Sequence, residues 1–355
     1  MTATRFAPFG TTIFAEMTRL ATLHQAVNLS QGFPDFDGPT FIIDAAEKAM
    51  REGHNQYARM SGEPVLCEAI AHRWARDTGM AVDPDTTVTV TSGCTEALAA
   101  TFLGLLNPGD EVILFEPWYD SYQACAAMAG AVPRLVPLRP DADGVFRFDE
   151  AEFRAAWTPR TRAVLVNTPH NPTGKVFTRE ELDLVASCCR AHDAIAITDE
   201  VYEHIVFEGE HVRLATLPGM EDRTITLSSL GKTFSLTGWK IGWAIAPPHL
   251  TRGIRSAHQF LTFAIATPFQ HGAVVALRDG DEAIAEMRTR YRAARDHLAS
   301  ALDEVGFRAC RPQGTYFIMA DHSALGFEDD VACCRALCEE AGIAAIPPTA
   351  FYTDK

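Results

Sequence analysis

The sequence predicts an α/β fold: a large domain with a mostly parallel seven-stranded sheet flanked by helices, plus a smaller α+β domain. Two observations carry that prediction. Seven short apolar runs rich in β-branched residues recur along the chain, at 86–91 (TTVTVT), 111–116, 133–138, 162–167, 194–199, 224–229 and 242–247. They do not alternate apolar with polar residues, the mark of strands buried on both faces. Longer amphipathic stretches such as TEALAATFLGLL and TREELDLVASCCRAH lie between them, and strands alternating with helices give a parallel sheet covered on either side.

The pattern changes near Asp281. DEAIAEMRTRYRAARDHLASALDEVG reads as one long amphipathic helix, and short strand-like pieces such as TYFIMA follow. The expected division is an N-terminal arm over 1–40 that contributes to the small domain, a large domain over 41–280 and a small C-terminal domain over 281–355. With 355 residues, 47% of them hydrophobic, the chain has material for a substantial core.

Forty-six acidic against 31 basic residues leave a formal charge of −15 without a basic run. Nucleic acid and anionic membrane are therefore not expected partners. MTATRFAPFGTTIFAEM lacks the continuous apolar core of a signal peptide, and no apolar run reaches bilayer length. The nine cysteines have no paired spacing, so reduced thiols and a cytoplasmic location are expected. CCRALC, Cys333 to Cys338, lies in a helix-like stretch without a histidine at ligand spacing; it reads as helix packing, and no metal is expected.

Ligands of open α/β sheets bind at the carboxyl ends of strands. In TVTVTSGCTEAL a strand runs into Ser92, Gly93, Cys94 and Thr95 and then directly into a helix. Free amides at a helix start suit a phosphate, although taken alone the stretch is an ordinary strand–turn–helix. SLGKTFSLTGWK, Ser229 to Lys240, has the Gly-Lys-Thr tail of a P-loop. That motif needs a glycine five residues before the Gly-Lys pair, where this chain has Thr226. LSSL is not glycine-rich, and the triphosphate reading fails.

Ser229-x-x-Lys232, with Lys240 eight residues further on, resembles the lysine loop of the fold-type I pyridoxal-phosphate-dependent aminotransferases of class I/II. The family's other blocks occur in order: NTPHNPTG (167–174), TDEVY (198–202) and SLGKTFSLTGWKIGW (229–243). TTIFAEMTRLA, NLSQGFPDFDGP and QYARMSGEP extend the resemblance over nearly the whole chain. They are most similar to the branch of kynurenine/glutamine aminotransferases, cysteine-conjugate β-lyases and bacterial methionine aminotransferases.

The resemblance implies pyridoxal 5'-phosphate as cofactor and assigns roles. Lys232 would form the Schiff base with the cofactor aldehyde and then, once released, move the α-proton. Asp199 would hold the pyridine nitrogen protonated, making the ring an electron sink; from the residues alone it also suits a helix N-cap. Tyr202 and Asn171 would bond the phenolic oxygen, although Asn171-Pro172 by itself is a plain turn. The phosphate would rest on the amides of Gly93, Cys94 and Thr95, with Ser229 and Lys240. Tyr119 would stack on the ring, while Trp118 and Tyr122 read as packing residues.

By the same resemblance Tyr57 reaches the phosphate from a neighbouring subunit, implying a homodimer with shared sites. Gly32 and Asn171 would lie near the substrate, with Phe14 and the partner chain's Phe263 position walling an apolar pocket. Ala264, where some aromatic-preferring members have histidine, leans toward methionine-like or broad apolar substrates. The family's carboxylate-binding arginine, suited to a bidentate grip, is expected shortly after IPPTAFYTDK, beyond Lys355. The expected function is transfer of the α-amino group of an amino acid (methionine, aromatic or glutamine-like) to a 2-oxo acid by a ping-pong mechanism. Carbon–sulfur β-elimination uses the same lysine and aspartate and stays open. A non-catalytic pyridoxal-phosphate-binding regulatory protein is the alternative of another class; no DNA-binding segment precedes the domain, so a transcription regulator is not expected.

Overall fold

The computed structural model describes residues 2–10, 12–30, 32 and 34–353. Seven strands form one sheet: β1 (Val88–Ser92), β2 (Glu111–Glu116), β3 (Val132–Pro137), β4 (Thr161–Asn167), β5 (Ile195–Asp199), β6 (Thr224–Ser229) and β7 (Ile241–Ile245). Their order across the sheet is β1-β7-β6-β5-β4-β2-β3. Neighbours run parallel except at β7, which is antiparallel to both β1 and β6. Each strand coincides with one of the apolar runs to within two residues.

Burial explains the missing alternation. Every residue of β2, β6 and β7 is buried, and successive side chains enter opposite layers. Leu114, Leu165, Ile197 and Leu227 join the core on one face, while Ile113, Val164, Val166 and Ala196 join the core on the other. The helix Arg179–His192 closes the second layer with Leu182 and Val185. It starts on a capping box in which Thr178 and Glu181 satisfy each other's backbone amides.

The topology gathers strand ends. The tips of β4, β5 and β6 lie side by side, with Asn167 paired to Asp199 and Asp199 to Leu227. Because β7 runs the other way, its beginning lies against the ends of β1 and β6: Ile241 pairs with Ser92 and Gly242 with Ser229. Lys240, just before β7, is thereby carried to the helix Gly93–Leu105 that starts where β1 ends. A Cβ on Gly242 would lie 2.5 Å from the Gly93 carbonyl carbon, so glycine permits this close approach.

The N-terminal helix Ile13–His24 is capped by Thr12 and packs Met17 and Leu20 against Cys334 and Cys338 of the helix Asp330–Glu340. Val27–Asn28 then pairs in parallel with Ile343–Ala344. The cysteines of CCRALC are buried in that helix and free, as are the other six. Asp281–Glu304 is one helix. TYFIMA, read as strand-like, needs correction: only Met319–Asp321 is strand. Thr315 at φ 65° breaks the extended run, and Tyr316 and Phe317 turn inward. Among the described residues no helix is long and apolar enough to cross a membrane.

Candidate active site

Ten of the residues singled out in the sequence line one pocket at the strand tips: Gly93, Cys94, Thr95, Tyr119, Asn171, Asp199, Tyr202, Ser229, Lys232 and Lys240. The helix Gly93–Leu105 opens at the pocket floor. Its first amides have no intrahelical acceptor, and Glu96 accepts the Ser92 amide at 2.9 Å, fixing the entry of the chain. Lys240 adopts φ 54°, which brings its ammonium against the same floor; a Cβ on Gly93 would lie 3.1 Å from Lys240 Nζ.

Asp199 ends β5 and is buried. Its Oδ2 accepts a 2.8 Å hydrogen bond from the Tyr122 hydroxyl, and Oδ1 accepts the Val201 amide at 3.3 Å. Burial pushes its carboxyl up from the usual range, while Tyr122, the Val201 amide, Cys94 and the charge of Lys232 pull it back. Asn167 donates from Nδ2 to the Asp199 carbonyl at 2.8 Å and accepts the Asn171 amide on Oδ1 at 2.6 Å. It thus links the β5 tip to the NPTG turn. The Cys94 thiol is held well above its usual range, first by burial and then by Asp199, which makes it an unreactive wall of the pocket.

Lys232 stands on a single helical turn, Leu230–Thr233, just past β6. Its ammonium donates to the Gly32 carbonyl at 2.9 Å and to the Tyr316 hydroxyl at 3.0 Å. Burial brings the Lys232 amine down to about 8; Asp199 opposes the fall and Lys240 adds to it.

A buried ion-pair network lies behind the pocket. Arg213 pairs with Glu200 at 2.8 Å and with Glu203, which also accepts the Ser228 hydroxyl at 2.6 Å. Glu200, Glu203 and His211 are the one grouping of metal-type ligands among the described residues, but the Arg213 guanidinium already supplies the cation there.

Four predicted residues, Phe14, Gly32, Tyr57 and Phe263, stand apart from the pocket lining. Phe14 packs on Phe351 with ring centroids 5.6 Å apart. Tyr57, 86% exposed, meets Phe263 edge-on at 5.7 Å within the same chain. Gly32 meets the site through its carbonyl, which accepts from Lys232 and Tyr316. Tyr122, read as packing only, is corrected: buried as expected, it also lines the pocket and holds Asp199. Asn167, Val201, Thr237 and Tyr316 were not singled out. Asn167 opens the NTPHNPTG block and was findable there, whereas nothing around Tyr316 signals its reach to Lys232.

A site of this make-up, on this sheet order, defines a family. Residues 24–355 match the family model of the class I and II aminotransferases, and the chain belongs to that family; it is an aminotransferase, of a family that uses pyridoxal phosphate. It is 49% identical over 99% of its length, and 88% of the relative's, to the Mycobacterium tuberculosis protein named "Probable N-succinyldiaminopimelate aminotransferase DapC". A solved structure of N-succinyldiaminopimelate aminotransferase from Mycobacterium tuberculosis superposes with a TM-score of 0.97, at 49% identity, covering 99% of this chain and 92% of that one. The methionine aminotransferase of Escherichia coli is 42% identical over 97% of this chain and 89% of its own.

Proposed function

We propose that this chain binds pyridoxal 5'-phosphate in the pocket below Lys232 and moves the α-amino group of an amino acid to a 2-oxo acid by a ping-pong mechanism. The observation that carries this reading is the pairing of a buried, hydrogen-bonded Asp199 with the half-buried Lys232 across one cavity whose floor is a helix start beside Lys240. The donor set fits the cofactor. An anionic phosphate suits the Gly93, Cys94 and Thr95 amides with Ser229 and Lys240. A cationic ring nitrogen suits Asp199, whose carboxylate would gain the charge partner that burial otherwise denies it. Tyr119 supplies an aromatic face, and Asn171 and Tyr202 supply polar groups for the ring oxygen.

When bound, the cofactor supplies an electron sink and a carrier for the amino group. The chain's own residues do the rest. Tyr122 and the Val201 amide fix the Asp199 carboxylate, Asn167 fixes the turn bearing Asn171, and Lys232 takes and returns a proton at Nζ. Exposed Tyr57 and Phe263 are assigned to a second subunit's site, which makes the working form a homodimer. For the amino donor, an N-succinyldiaminopimelate-type substrate ranks first and methionine second, in the order of identity to the relatives bearing those names.

Protein mixed with pyridoxal phosphate is expected to turn yellow, and Lys232→Ala to lose the absorbance shift and turnover together. A wild type that stays colourless would defeat the cofactor assignment. Product analysis with each donor and a 2-oxo acid checks the reaction: a new amino acid should form only with acceptor present. Pyruvate and ammonia from a cysteine conjugate without acceptor would instead establish β-elimination.

A further inference from the structure

We propose that Tyr316 is a positioning residue of this site, its hydroxyl fixing the direction in which Lys232 presents its lone pair. The proposal rests on the reading of Lys232 as the base that moves the α-proton. The geometry is a closed triangle. Lys232 Nζ donates to the Gly32 carbonyl at 2.9 Å and to Tyr316 Oη at 3.0 Å, and the Tyr316 hydroxyl itself donates to the Gly32 carbonyl at 2.6 Å. Tyr316 has one proton to give and gives it to Gly32, so only its lone pairs face the lysine.

A neutral amine has two N–H bonds and one lone pair. With both N–H bonds held by Gly32 and Tyr316, the lone pair is directed away from both. When the amine is protonated, the third N–H lies along that same direction. The proton thus leaves and returns on one line, set by two acceptors that do not themselves titrate in the working range. Gly32 is a backbone carbonyl, and burial pushes the Tyr316 hydroxyl upward, away from ionisation.

The mounting of Tyr316 is rigid. Thr315 is fully buried at φ 65°, a costly conformation for a β-branched residue that only surrounding contacts sustain. Its amide donates to Ile205 O at 2.9 Å, and the amides of Gln313 and Gly314 both donate to Gly174 O at 2.9 Å. The Tyr316 ring packs edge-on against Tyr202 at 5.3 Å and tilted against Phe317 at 4.9 Å. Tyr316→Phe keeps that packing and removes the hydroxyl alone.

Two measurements on Tyr316→Phe decide the matter. In the cofactor-free protein, acetic anhydride labelling of Lys232 is followed by mass spectrometry against pH. Loss of an acceptor for the ammonium should move the labelling midpoint to lower pH. In the loaded enzyme, single-turnover reaction with α-protio and α-deuterio amino acid should slow by about 100-fold, as misdirected groups do, with a larger isotope effect and cofactor affinity little changed. An unmoved midpoint together with wild-type rates would overturn the proposal. So would a slower reaction whose isotope effect stays the same, since that marks a packing defect. A wild type that takes up neither pyridoxal phosphate nor amino group brings down the underlying reading instead, and the labelling midpoint still decides whether Tyr316 sets the amine.

Discussion

Burial and neighbouring charges pull the Lys232 amine in different directions. Burial and Lys240 favour the neutral form, Asp199 the charged one, and the balance brings it to about 8 from an ordinary 10.5. The neutral amine is the nucleophile, so capture of pyridoxal phosphate by the cofactor-free protein should accelerate as pH rises through about 8. A stopped-flow profile still rising toward the ordinary lysine range, without a midpoint near that value, would contradict this. Lys232, Asp199 and Lys240 were legible in the sequence because each ends a strand or stands at fixed spacing in a motif. Tyr122 was not. It is 77 residues from Asp199, and EPWYDSY holds two tyrosines and a tryptophan with nothing local to say whose hydroxyl meets a carboxylate. Tyr316 was hidden further, since its reach depends on a left-handed Thr315 that residue type argues against.

The turn after β5 has two faces. Asp199 and Tyr202 look into the pocket, whereas their sequence neighbours Glu200 and Glu203 look away and meet Arg213. Burial alone would raise the Glu203 carboxyl, but Arg213 overrides it and holds it well below the usual range. Arg213 also lies over the Trp74 ring at 5.3 Å, tying the turn to the helix Pro64–Thr78. Arg213→Met leaves two buried carboxylates facing each other and should cost about 3–5 kcal/mol in urea unfolding. Arg213→Met with Glu203→Gln should recover part of that loss; no loss in the single variant would mean the network does not brace the turn. At this scale the seven strands were legible, because burial on both faces leaves an unmistakable apolar run. Their order was not. Periodicity reports how a strand is covered and carries no information about its neighbours, so the reversal of β7, which brings Lys240 to the helix start, is seen only in the assembled sheet.

For the molecule as a whole, the proposed homodimer has a surface to test. Phe260 is 85% exposed, Tyr57 86% and Phe263 44%, with Tyr57 and Phe263 in edge-on contact; exposed aromatic groups of this kind are candidates for burial against a second subunit. Phe260→Asp is expected to shift sedimentation from dimer toward monomer and to weaken cofactor retention, because Tyr57 would no longer reach the neighbour's site; unchanged sedimentation would place the interface elsewhere. The two ends of the described chain are joined as well. Val27–Asn28 hydrogen-bonds beside Ile343–Ala344, and Met17 and Leu20 rest on Cys334 and Cys338. A ribosome emits those partners more than three hundred residues apart. The early helix therefore waits with its apolar stripe bare while the large sheet is being made, open to a chaperone or to a wrong partner. A stalled or truncated translation product lacking the late strand would leave that stripe without a home, even if every residue of the catalytic pocket were already in place.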